Sequence, residues 1–268
     1  MIRALTLVSQ ILMIVGLSVV ASHAASTDWQ DLGGGKARVV AQLDPASYKI
    51  EGVVEVELEP GWSTYWRYPG GSGIPPQFDF SASGGLAPVA VQFPAPKKIG
   101  EGRRSYAGYK RKVSFPFSAH AGKSAKPNID LKLLIGVCEE ICIPAQAAFN
   151  IKASQLFQTD PVAQRQVTFA KLGIPKSVAP QDVKLQVTKA GDKALHISLK
   201  KPAGYKNPAL FVEGPPKWYL LAPEIISEEN DVLTYLLDVS DIPKGVDPLS
   251  HPLTYTLSTG NGGIEFSR

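Results

Sequence analysis

Val54-Glu55-Val56-Glu57-Leu58-Glu59 alternates apolar and acidic residues without a break. That period of two is the pattern of a strand with one face on a core and the other in water. Outward from it lie further strand-like runs at residues 38–43, 89–93, 113–117, 131–137 and 147–151, most of them separated by Gly, Pro or Asn clusters. After a gap a second set follows, at residues 183–187, 194–199, 210–212, 218–221, 232–239 and 253–257. The 24 glycines and 22 prolines carry no three-residue period, which excludes collagen and disfavours long helices. Many short strands with closely spaced turn signals predict an all-β protein of two antiparallel sandwiches.

One helix is predicted in the gap. Asp160 can cap orphan amides, Pro161 suits the first helical position, and Gly173 stands where a left-handed C-terminal residue is wanted, giving a helix over residues 161–172. Gly173-Ile174-Pro175 and Ala179-Pro180 then read as a connector. The expected organisation is a first domain over 25–155, a short helical connector over 156–182 and a second sandwich over 183–268. Residues 1–24 precede them: a basic Arg3, a mostly apolar run over 4–20, and small residues in Ala21-Ser22-His23-Ala24. This is the pattern of a cleaved secretory signal, so export to an oxidising compartment is expected, with cleavage near Ala24. No later stretch is long and apolar enough for a span of ~20 residues, so no stable membrane insertion is expected.

Composition narrows the function classes. Lys and Arg number 28 against 24 Asp and Glu, a net +4 that is too mild for a dedicated nucleic-acid binder. His120, His196 and His251 are scattered singles without metal-ligand spacing, and Gly33-Gly34-Gly35 lacks the Lys-Ser/Thr ending of a phosphate loop. Neither a metal nor an organic cofactor is called for. The chemistry narrows to Gly136-Val137-Cys138-Glu139-Glu140-Ile141-Cys142-Ile143-Pro144, which holds the only two cysteines.

On a straight strand Cys138 and Cys142 would stand ~13 Å apart at ~3.3 Å per residue, whereas a disulfide needs Cα atoms within ~4.4–6.8 Å. Pairing therefore requires Glu139-Glu140-Ile141 to turn, most simply as a hairpin tip. Three readings stay open on the residues alone. A structural staple is one, although closing a loop of about five residues contributes only ~2 kcal/mol, against ~4.7 for a hundred-residue loop. A redox pair is the second. The third, ranked below both, is a pair of thiolates holding a soft ion such as Cu(I).

Four ordered motifs resemble a known family. Gly61-Trp62-Ser63-Thr64-Tyr65-Trp66-Arg67-Tyr68-Pro69-Gly70-Gly71-Ser72-Gly73-Ile74-Pro75-Pro76, Phe93-Pro94-Ala95-Pro96, Tyr106-Ala107-Gly108-Tyr109 and Val137-Cys138-Glu139-Glu140-Ile141-Cys142-Ile143-Pro144 are similar to the N-terminal periplasmic domain of the thiol:disulfide interchange protein DsbD. The ScsB-like, copper-sensitivity-suppressor branch is the nearer likeness, and the motifs span roughly residues 29–152. The resemblance implies immunoglobulin-like sandwiches in the periplasm and a thiol:disulfide oxidoreductase whose pair is Cys138 and Cys142. It implies a membrane-embedded electron transporter on one side and periplasmic thioredoxin-fold proteins on the other. Tyr106 matches the segment covering the pair, and Tyr65 with Arg67 matches the aromatic-basic strand beside it. Two departures stand out. Three residues separate the cysteines here, fewer than in DsbD itself, and the sequence ends at Arg268 without membrane or C-terminal thioredoxin-like domains, so it is not expected to relay electrons across a membrane alone.

The competing class is a secreted binding module with a purely structural disulfide. Its best feature is the basic stretch Lys97, Lys98, Arg103, Arg104, Lys110, Arg111 and Lys112, interleaved with Tyr106 and Tyr109. Such a patch in an exported protein suits an acidic partner or anionic lipid.

Overall fold

The computed structural model describes residues 26–268 except Ser72, Ser124 and Thr159. The signal-peptide reading of residues 1–24 lies outside the described residues. Among the described residues the strands form four sheets, two in each half. In the first half one sheet runs in the order Gln30–Asp31, Gly35–Asp44, Lys49–Leu58, Lys112–His120, Ala90–Val91. The facing sheet runs Cys142–Ile151, Ile129–Cys138, Ser63–Tyr65, Tyr106–Lys110, Lys97–Ile99, with Gln77–Asp79 also paired to Ile129–Cys138. All these pairings are antiparallel. Between the sheets lie Val54, Val56, Phe115, Leu131, Leu133, Ile135 and Trp66, all essentially sealed from solvent.

The second half repeats the layout. One sheet pairs Ala209–Glu213, Thr254–Ser258 and Gly263–Ser267, with Lys176–Ser177 added in parallel, and the other pairs Gln186–Lys189, Ala194–Lys200, Val232–Asp238 and Glu224–Glu229. Leu195, Ile197, Leu233, Tyr235, Tyr255 and Leu257 form its core. The protein is thus all-β, with two immunoglobulin-like antiparallel sandwiches and a helix between them in the chain.

That helix, Pro161–Leu172, begins where Asp160 accepts a hydrogen bond from the Val162 amide at 2.7 Å. It corrects the expectation for the opening motif. Ala163, Val167 and Ala170 pack on Val40 and Val53, so the second face of Lys49–Leu58 is covered around Val53 and Glu55, while Glu51 and Glu57 stay partly exposed. Glu55 on that face is only 3% exposed. A buried carboxylate requires compensating partners, and Arg38 at 2.7 Å and Lys112 at 3.3 Å supply them. Gly173 also departs from expectation. Its φ of −79° is right-handed, because the chain continues as a tight turn in which Ile174 N–H donates to the Lys171 carbonyl.

In the second half, residues 218–221 form no strand. Their alternation arises because Trp218 and Leu220 plug the core while Tyr219 is exposed. The edge position belongs to the acidic Glu224–Glu229, and the run expected at 183–187 pairs only as Gln186–Lys189. Among the described residues, no helix is long and apolar enough to cross a membrane.

Candidate functional site

The Ile129–Cys138 and Cys142–Ile151 strands pair residue for residue from Ile129 opposite Ile151 to Cys138 opposite Cys142. Glu139-Glu140-Ile141 makes the turn, closed by Glu139 N–H to the Ile141 carbonyl at 3.3 Å. The register therefore brings the cysteines together, with Cα atoms 4.1 Å apart, and they form a disulfide. The two sulfurs differ in access: Cys138 is 2% exposed, whereas Cys142 lies on the solvent side next to Ile141, which is 76% exposed.

The burial of Cys138 follows from the strand beside it. Ser63–Tyr65 pairs with the end of the hairpin, Ser63 opposite Cys138 and Thr64 opposite Val137. Thr64 Oγ1 donates to the Gly136 carbonyl at 2.7 Å, and Ser63 Oγ donates to the Cys138 carbonyl at 3.1 Å. The single Ser63 proton being thus used, the Tyr106 hydroxyl must donate to Ser63 Oγ, at 2.5 Å.

Tyr65 makes the direct contact with sulfur. Its hydroxyl lies 2.8 Å from Cys142 Sγ, and since a disulfide sulfur carries no proton, the tyrosine is the donor. Burial, with a smaller contribution from Tyr106, raises the Tyr65 phenol above its ordinary value, so it stays protonated as a donor. The ring fits because residue 136 has no side chain. A Cβ there would stand 2.9 Å from Tyr65 Cδ2 and from Ile74 Cβ, closer than real contacts allow. The Tyr106 ring packs on Tyr65 with centroids 4.8 Å apart. Tyr106 thus forms a second layer over the site, and the residue on the sulfur is Tyr65.

Arg67 follows the same strand, but its guanidinium turns away from the cysteines to Glu213 and Glu265 of the second sandwich. The basic stretch is also partly committed elsewhere. Arg103 pairs with Asp241 at 2.7 Å, and Lys112 with Glu55 and Glu57 at 3.3 Å. Among the described residues no group of three or more His, Cys, Asp or Glu side chains is placed to hold a metal ion. Ser63, Thr64 and Gly136 went unassigned in the sequence, although Ser63 and Thr64 lie inside the quoted motif.

The first sandwich thus presents a cysteine pair at a hairpin tip, with one sulfur buried and the other on the solvent side. Residues 36–153 match the family model described as thiol:disulfide interchange protein DsbD, N-terminal. That segment is similar to the DsbD N-terminal domain over those residues. Residues 174–268 match a domain of unknown function. Among solved structures, the crystal structure of the N-terminal periplasmic domain of ScsB from Proteus mirabilis is similar, with a TM-score of 0.73 at 19% identity over 91% of this chain and 98% of that one. No curated relative matches.

Proposed function

We propose that the protein is an exported thiol:disulfide oxidoreductase that passes electrons through Cys138 and Cys142 to or from periplasmic thioredoxin-fold proteins, with a membrane-embedded transporter as the other partner. The leader is residues 1–24, the redox domain 25–155, the connector 156–182 and the second sandwich 183–268. The observation that carries this reading is the asymmetry of the pair, one sulfur 2% exposed and the other open to solvent.

In the reduced protein the Cys142 thiolate attacks a sulfur of the partner's disulfide. A new S–S bond forms and the partner's second cysteine leaves as a thiolate that takes up a proton. The Cys138 thiolate then attacks Cys142 Sγ, closing the intramolecular disulfide and releasing the partner's first cysteine as a thiol. Two electrons and two protons pass to the partner. Run backwards, a partner thiolate attacks the accessible Cys142 Sγ and Cys138 leaves. Tyr65 serves either direction as the hydrogen-bond donor to Cys142, and Tyr106 shields the pair over it.

A staple at this place would add little, because the S–S bond joins residues only four apart at the tip of a hairpin whose strands are paired along their whole length. The test is the reduction potential of the pair against glutathione. A value above about −300 mV is expected, whereas structural disulfides of exported proteins typically lie below it.

A further inference from the structure

The strand that carries Tyr65 to the sulfur is only three residues long, Ser63–Tyr65, and the next residue, Trp66, is buried in the first sandwich's core where it also meets the second. Trp66 N–H donates to the Ala107 carbonyl at 3.0 Å, and Ala107 N–H to the Pro69 carbonyl at 2.9 Å, so residues 66–69 run beside the segment bearing Tyr106. Every side chain from Trp66 to Tyr68 is then engaged by the second sandwich. The Trp66 ring meets Phe211 edge-on at 5.8 Å, and the Tyr68 hydroxyl donates to the Trp218 carbonyl. Arg67 presents its fork to Glu213, with Nε at 2.9 and 3.1 Å from the two carboxylate oxygens, while Nη2 also reaches Glu265. Glu265 is itself fixed by Thr256 Oγ1 at 3.1 Å, and the guanidinium lies 4.6 Å over the Trp66 ring.

We infer that the second sandwich is the positioning element of the redox site, acting through Arg67 to fix Tyr65 against Cys142. Fork-to-carboxylate pairing is directional, so it sets the orientation of the chain as well as its distance. Ser63 and Thr64 are paired to strands on both sides, but Tyr65, at the end of the strand, pairs only with Gly108 on one side. The anchor two residues on, tied to two strands of the other sandwich, supplies the remaining hold. The cation does not act on the thiolate as a point charge, because two carboxylates already face it. Arg67 is therefore a positioning residue. This gives residues 174–268 a task in the chemistry of a disulfide they do not touch.

The inference rests on Cys142 being the reacting thiol, and its test does not need a protein partner. In reduced full-length protein with Cys138→Ala, the rate of Cys142 alkylation by iodoacetamide is measured for Arg67→Met, Tyr65→Phe and the two combined. Arg67→Met is expected to change the rate by about 2- to 30-fold, the span of coupling seen for residues that touch neither reactant. In the Tyr65→Phe background the same substitution is expected to do nothing further, because the group it positions is gone. Arg67→Lys, which keeps the charge and loses the fork, should fall between. Equal effects of Arg67→Met with and without the Tyr65 hydroxyl, or no effect in either, overturn the inference. Should Arg67→Met fail to fold, Glu213→Gln runs the same cycle with a neutral, same-shaped partner. A cycle showing coupling while no thioredoxin-fold partner reacts would remove the proposed function and leave the positioning role standing.

Discussion

Removing one oxygen, in Tyr65→Phe, should weaken the reactivity of Cys142 by a calculable amount. The hydroxyl sits 2.8 Å from Cys142 Sγ on a tyrosine that is 5% exposed, while the sulfur itself stays on the solvent side. A hydrogen bond to a charged group contributes about 1.5–3 kcal/mol, which for a thiolate acceptor corresponds to a pKa lower by about 1–2 units. Losing it should raise the Cys142 thiol by that amount and, at a pH below both values, cut the thiolate fraction about 10- to 100-fold. The more basic thiolate is intrinsically a better nucleophile, with a Brønsted slope of about 0.4–0.5, which returns roughly half of the loss on a logarithmic scale. The net expectation is an alkylation rate lower by about 3- to 10-fold. Ultraviolet titration of the thiolate in a Cys138→Ala background, where a single thiol titrates, measures the shift directly. Tyr65 itself does not confuse the titration near neutral pH, since burial and then Tyr106 hold its phenol above the usual value. An unchanged titration, or a downward shift, would refute this role for the hydroxyl.

Gly136→Ala should push its new Cβ into the Tyr65 ring, costing about 1–3 kcal/mol by overpacking and raising the Cys142 thiol as Tyr65→Phe does, read by denaturant unfolding and the same titration. The double replacement Cys138→Ala, Cys142→Ala should leave the first sandwich folded, with a loss of no more than about 2 kcal/mol, because so short a loop constrains the unfolded chain little. Tyr106→Ala should speed alkylation of the reduced pair while circular dichroism stays unchanged, and an unchanged rate would leave Tyr106 as a packing residue. Acid should loosen the Pro161–Leu172 helix. Burial alone would raise Glu51, but hydrogen bonds from Lys171 and Lys49 outweigh it and hold the carboxyl below the usual range. That contribution is full above the unfolded carboxylate value of about 4.3 and is lost as pH falls through the lower folded value. Hydrogen exchange in the helix should rise over that window, and less so in Glu51→Gln.

The sandwich strands were legible wherever one face meets the core, as in Gly35–Asp44 and Ile129–Cys138, since burial writes a period into the residue types. What failed to show was tertiary cover. Glu55 read as part of the wet face of Lys49–Leu58 because nothing local reveals the helix that lies over that side, on Val53. The edge strand Glu224–Glu229 was hidden for the opposite reason: mostly exposed on both faces, it carries no apolar alternation. The cysteine pair stood out through being the only two thiols, and the hairpin register explains its closure. The Tyr65 contact could not be read, because 77 residues separate it from Cys142 and spacing does not convert to distance. Motif likeness singled out Tyr106 on the covering segment and Tyr65 with Arg67 on the strand beside the pair; the hydroxyl on the sulfur is that of Tyr65, which Tyr106 backs.

The most direct measurement is capture of the exchange intermediate. Reduced Cys138→Ala protein, mixed with an oxidised thioredoxin-fold protein, should accumulate a mixed disulfide at Cys142, since no adjacent thiol remains to resolve it. Reduced Cys142→Ala, whose remaining thiol is 2% exposed in the parent fold, should accumulate little. Mapping of the cross-linked peptide to residue 142 is the predicted result. No adduct with either variant, or an adduct formed only through Cys138, would contradict the assignment of Cys142 as the sulfur that meets the partner.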